Sequence, residues 1–214
     1  MKPFINNLVF ILCGLALASP ASALINVTPS VTDVWDKPVS LDISNDGDRP
    51  EFVSITLSRL LNPGVEFADE RMEAIVQVTQ PKLYATPFKL MLAPGQSKKI
   101  TIKPLLPVAE EQVYRIDIKP VVNLIDPKLS SVAGNVVVNL AYSSLVRHIP
   151  QNETSTLTVK CEVDGVRFFA SGTTRFVVKD ATRDGRPIEP FNVYPSVPLL
   201  VKGAKIKVPQ HAGC

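Results

Sequence analysis

Between Val39 and Ile118 apolar side chains recur at every second position, in short bursts separated by proline, glycine, asparagine or aspartate. "VSLDISND" carries Val39, Leu41 and Ile43 on one parity, and "FVSITLSRL" carries Val53, Ile55 and Leu57. "FKLMLAPGQSKKITIKPL" gives Leu90 and Leu92, a Pro94-Gly95 turn, then Ile100 and Ile102, and "VYRIDIKPV" aligns Tyr114, Ile116 and Ile118. A period of two is that of a strand with one buried face; an amphipathic helix would need a period near 3.6. Only "FADERMEAIVQV" offers a helical turn, and its end reads as a strand. Nineteen prolines against ten glycines, placed mostly between the apolar runs, further discourage helices. The expectation is an all-β fold of immunoglobulin-like sandwiches.

The longest such run is "GNVVVNLAYSSLVRHIP", residues 134–150, with Val136, Val138, Leu140 and Tyr142 on one parity and Asn139 and Ser143 on the other. It predicts a long strand with one strongly apolar face. The polar, proline-containing "RHIPQNETS" that ends it is the natural boundary. Residues 24–150 are expected to form one immunoglobulin-like sandwich, and 151–214 a small second β domain built from "LTVKCEV", "VRFFASG", "TTRFVVKDA" and "GAKIKVP". So short a segment makes a marginal core, so it should lean on the first domain or on a disulfide.

The N-terminus sets the compartment. Lys2, the apolar "LVFILCGLALA" and the small-x-small Ala21-Ser22-Ala23 form a signal-peptide pattern, to be removed before Leu24. The run is shorter than the roughly 20 residues that cross a bilayer, so no stable membrane insertion is expected. A lipoprotein is disfavoured because Leu12, not a small residue, precedes Cys13. Without residues 1–23 the formal charge falls from +3 to +2, since Lys2 is the only charge removed. With Lys and Arg scattered, the basic footprint of a nucleic-acid binder is missing. Cys161 and Cys214 remain: in an oxidising compartment they read first as a disulfide, and otherwise as free thiols. "HAGC" as half of a metal site lacks companions, His148 being the other histidine.

No nucleophile elbow, phosphate loop, zinc-protease motif or dinucleotide glycine pattern occurs. Glu110 and Glu111 are adjacent, which in a strand sends them to opposite faces, so they read as a solvated pair at a strand entrance rather than a catalytic dyad. Neither an enzyme nor a cofactor is expected.

With the strands laid out, "VSLDISND", then "KLYATPFKLMLAPGQSKKITI", then "EEQVYRIDI" resembles the first domain of the periplasmic pilus-assembly chaperones of chaperone–usher systems. "NPGVE" and "VVVNLAYSSLVRHIP" look most like the alternate-chaperone branch that serves class 5 fimbriae. The resemblance covers most of residues 25–150 and weakens after 155. It implies a protein that binds fimbrial subunits, pilin and tip adhesin, which lack their final strand. Such a chaperone lends an edge strand to the subunit's groove in the periplasm and passes the subunit to an outer-membrane usher. In physical terms, main-chain hydrogen bonds give affinity and alternate side chains fill pockets. Three or four apolar side chains at roughly 1.5–3 kcal/mol each offset much of an association cost of about 4–15 kcal/mol.

On this resemblance the donor face is Val132, Val136, Val138 and Leu140, with Gly134 as a gap in the row. The competing reading packs these side chains in the chain's own core. The first strand, "LINVTPSV", is a second edge, with Ile25, Val27 and Pro29 as its candidates. Better-known members hold the subunit's terminal carboxylate with an arginine on the first strand and a lysine on the last. Here the first strand has no basic residue, and Asn139 stands at the lysine's place. Either Asn139 and Arg147 replace the anchor, or Arg147 braces the two domains with Glu111. The alternative function is a secreted structural pilin or adhesin subunit. Such a protein should begin with a long donor extension, and this chain has about two residues before its first strand.

Overall fold

The computed structural model describes residues 25–121, 140–209 and 211. The first ten strands are β1 (Ile25–Thr28), β2 (Val31–Val34), β3 (Val39–Asn45), β4 (Glu51–Leu60), β5 (Met72–Ala74), β6 (Leu83–Thr86), β7 (Lys89–Leu92), β8 (Ser97–Pro104), β9 (Gln112–Pro120) and β10 (Tyr142–His148). They form two sheets. One has the order β1-β3-β8-β6, the other β2-β10-β9-β4-β5, with β7 also on β4. All pairings are antiparallel except that of β10 with β2, because the chain crosses from one sheet to the other between Thr28 and Val31.

The alternation seen in the sequence is what glues the sheets together. Leu41, Ile43, Ile55, Ile100, Ile102, Ile116 and Ile118 all lie in one buried core between them. Asn45 is buried at the end of β3 and satisfied there: its Nδ2 donates to Leu92 O (3.1 Å) and Arg49 O (2.7 Å), and Gly47 N–H donates to its Oδ1 (3.0 Å). One polar side chain thus ties two turns at the same end of the sandwich.

The second half contains β11 (Ser155–Glu162), β12 (Gly165–Gly172), β13 (Phe176–Val178), β14 (Thr182–Arg183), β15 (Arg186–Pro187), β16 (Phe191–Val193), β17 (Leu199–Lys202) and β18 (Ile206–Lys207). They pair as β11-β12-β17, β13-β16 and β15-β14-β18 around a separate core that includes Val166, Phe168, Val178, Val193 and Ile206. The protein is therefore all-β, with two sandwiches of which the second is small. A third cluster, Leu60, Val113 and Tyr194, with Leu145 and Val197 packed on it, joins the two.

Three expectations need correction. The end of "FADERMEAIVQV" is not a strand: Ile75–Gln77 makes a single 3-10 turn closed by Val78 N–H to Ile75 O (3.2 Å). Ile75 and Val78, three apart, both reach the core, while Val76 is 82 % exposed. A spacing of three suits a 3-10 turn and not a pleat. Second, Glu110 and Glu111 precede β9 and are not a solvated pair, for Glu111 is buried. Third, within the described part of 134–150 the strand runs only from Tyr142 to His148.

Candidate functional site

Two sheet edges of the first sandwich lack a strand on one side among the described residues. β1 bounds its sheet, with β3 on one side and, among the described residues, no strand on the other. Its side chains Ile25 and Val27 turn inward onto the core, so what β1 exposes along that side is its backbone. In the other sheet β9 pairs along all of β10, from Tyr142 to His148. β2 covers only Leu145–His148 on the opposite side, so among the described residues no strand lies there beside Tyr142–Ser144.

Tyr142 packs against the core and Val146 lies within it, so this parity points inward along β10. Leu140, on the same parity, precedes the strand and is 54 % exposed. The apolar row therefore leaves the protein's own core between Tyr142 and Leu140. Val132, Val136, Val138 and Asn139 lie outside the described residues.

At the other end of β10 the chain builds a buried ionic cluster. Arg147 Nε donates to Glu111 Oε1 at 2.6 Å, and its Nη1 donates to both Asp33 oxygens at 3.0 Å. The second Glu111 oxygen accepts from the Arg175 backbone N–H (2.9 Å), and Glu111 N–H donates to Thr173 O (2.7 Å). The Glu111 side chain is fully buried. Burial opposes the charge on Arg147, but the hydrogen bond and the charge of Glu111, helped by Asp33, raise its pKa above the ordinary value. Arg147 and Glu111 are thus brought together and tied to the second sandwich. Asp33 and the Arg175 backbone were not legible as partners: Asp33 arrives through the parallel pairing of β2 with β10, and a backbone N–H leaves no mark in the sequence.

His148 follows Arg147 and is 1 % exposed, with no hydrogen-bond partner for Nδ1 among the described residues. Burial pulls its pKa below the ordinary value, against a backbone hydrogen bond with Trp35 and aided by the charge of Lys82. Cys161 is disulfide-bonded, and its partner lies outside the described residues. Among the described residues no His/Cys/Asp/Glu group is arranged to hold a metal ion, and no helix is long and apolar enough to cross a membrane.

The chain resembles solved structures over nearly its whole length. The class 5 fimbriae chaperone CfaA superposes with a TM-score of 0.67 at 21 % identity, covering 89 % of this chain and 96 % of that one. A chain of the chaperone–tip adhesin complex of CFA/I fimbriae biogenesis gives 0.66 at 20 % identity, covering 90 % and 98 %. The chain has the fold of the fimbrial chaperones. The chaperone DraB of E. coli shares this fold at 13 % identity, with a TM-score of 0.60 over 86 % of this chain and 89 % of its own. In sequence, the chain is 27 % identical over 135 residues to a CS1 fimbrial subunit of Escherichia coli, and 26 % over 136 to a CFA/I fimbrial subunit of the same species. Each match takes in 61 % of this chain and little more than half of the relative, 56 % and 55 %. No family model matches. Within this chaperone fold the edges of β1 and β10 that no strand covers among the described residues lie in one sandwich, and the Arg147 cluster lies between the two sandwiches.

Proposed function

We propose that the protein is a non-catalytic periplasmic chaperone that binds fimbrial subunits by lending them an edge strand and delivers them to an outer-membrane usher. The observation that carries this reading is that Tyr142–Ser144, at the start of β10, pairs with β9 on one side and, among the described residues, with no strand on the other, in the same sandwich as the uncovered edge of β1. It lies where an apolar row comes out of the core. A long open edge is an aggregation hazard unless a partner takes it. On this reading Val132, Val136, Val138 and Leu140 fill the subunit's groove, and the β1 backbone pairs with the groove's other rim. Residues 1–23 are cleaved on export, residues 24–150 and 151–214 are the two domains, and Cys161 pairs with Cys214.

Arg147 serves as the inter-domain brace, since its Nε and Nη1 are already engaged by Glu111 and Asp33. The carboxylate anchor then falls to Asn139, a neutral donor and so a weaker one than an ionised lysine.

The second reading, a structural pilin or adhesin subunit, is favoured by the names of the relatives matched in sequence, both fimbrial subunits. Against it, β10 fills its place between β2 and β9, where a pilin's sandwich would lack the last strand. The test is Val136→Glu and Val138→Glu in the mature chain, assayed for capture of a co-expressed fimbrial subunit. A chaperone stays folded and loses capture; unfolding of both variants would place these side chains in the core and overturn the donor assignment.

A further inference from the structure

Three neighbouring strands, β10, β9 and β4, bring contacts onto the second sandwich at the same end of their sheet. β10 and the entry to β9 do so through Arg147 and Glu111. β4 does so through the loop that follows it, residues 61–71. This loop is closed on itself: Leu61 N–H donates to Arg71 O (2.8 Å), Asn62 Oδ1 accepts from Arg71 N–H (2.6 Å), and Asn62 Nδ2 donates to Asp69 O (2.9 Å). It is also fastened to β9, where Arg115 Nε donates to Glu70 Oε2 at 2.9 Å and the guanidinium lies 5.2 Å from the Phe67 ring centre.

At the tip of the loop Gly64 has φ +97 and lies directly on β16. A Cβ there would stand 2.9 Å from the Asn192 carbonyl oxygen and 3.4 Å from the Tyr194 ring. Neither neighbour can swing aside. One is backbone, and the other is a ring buried in the junction with Leu60 and Val113. The backbone angle is itself one that side chains disfavour.

We infer that the 61–71 loop is a spacer that sets the angle between the two sandwiches, with Gly64 as its contact point, a position that admits no side chain. The geometric claim stands without the chaperone reading. Its consequence, that the angle positions a captured subunit, rests on that reading. "NPGVE", residues 62–66, then has a physical role: Asn62 closes the loop and Gly64 lets it touch.

The experiment is measurement of residual dipolar couplings on the labelled mature chain, wild type against Gly64→Ala. In the wild type one alignment tensor fits both sandwiches. In Gly64→Ala each sandwich still fits its own structure, but their relative orientation shifts. Gly185→Ala is the control, because Gly185 has φ +80 with nothing within 4 Å of its Cβ position, so it carries the backbone cost without the collision. Gly64→Ala with the wild-type orientation, or Gly185→Ala with an equal shift, overturns the inference. If Gly64→Ala does not fold, Asn62→Ala decides: a loosened loop should shift the orientation, and an unchanged one overturns the spacer. Subunit capture, read in parallel, should fall in the variants whose orientation shifts. Undiminished capture despite a shift overturns the consequence and leaves the spacer intact.

Discussion

Glu111, at the entry to β9, and Arg147, in β10, meet at 2.6 Å, and the remaining oxygen of Glu111 holds the Arg175 backbone N–H of the second sandwich. One carboxylate thus neutralises a buried guanidinium and joins the two halves of the molecule. Glu111→Ala leaves Arg147 with Asp33 alone and leaves the Arg175 N–H unmet. The expected loss is about 3 kcal/mol, the low end of the range for breaking a buried pair, because Asp33 stays. Glu111→Gln, which keeps an acceptor, should lose less. Urea unfolding of both variants checks this.

His148 gives the fold a pH dependence of known sign. Its folded pKa lies below the ordinary 6.5, since burial disfavours the imidazolium. Above 6.5 both the folded and unfolded states hold it neutral, so its full contribution to stability is present there. As pH falls below that value the unfolded chain takes up a proton that the folded chain refuses, and stability declines until the folded pKa is reached. Denaturation midpoints at pH 7.5 and 5.5 should differ, and His148→Leu should reduce the difference. An equal difference in the variant assigns the dependence to other groups.

The proposed donor row should separate binding from folding. Leu140→Ser, at a site already exposed, should leave the melting temperature nearly unchanged. Val138→Glu should do the same while weakening subunit binding at least about tenfold, because one buried valine contributes about 1.5–3 kcal/mol and 1.4 kcal/mol is a factor of ten. Ile102→Ala, in the centre of the core, should instead cost about 2–5 kcal/mol of stability. Melting curves and a subunit titration on the three variants make the comparison.

The disulfide of Cys161 should link β11 to the C-terminus. Peptide mapping without reduction is expected to find the Cys161 peptide joined to that of Cys214, and reduction should lower the stability of the small sandwich first. A linkage to any other thiol contradicts the pairing.

How much of this was legible depended on local pattern. β3, β4, β8 and β9 are long enough to repeat their period, and Leu41, Ile55, Ile102 and Ile116 could be placed in the core from spacing alone. Gly95, after a proline, announced its turn and has φ +67. β14, β15 and β18 have two residues each, too few to show any period. The Arg147–Glu111 pairing was one of two open readings, but Asp33 was invisible because a parallel pairing of β2 with β10 brings it there. Gly64 stands out in the sequence only as part of "NPGVE". Its role depends on Asn192 and Tyr194, more than a hundred residues away, and no local signal reports such a contact.

The most direct test of the account is co-expression of the chain in the periplasm with the fimbrial subunit encoded beside its gene, followed by light scattering on the purified material. The account predicts a stable one-to-one complex and degradation of the subunit when this chain is absent. Polymerisation of the chain itself, with no such complex, would contradict it and turn the donor row to self-assembly.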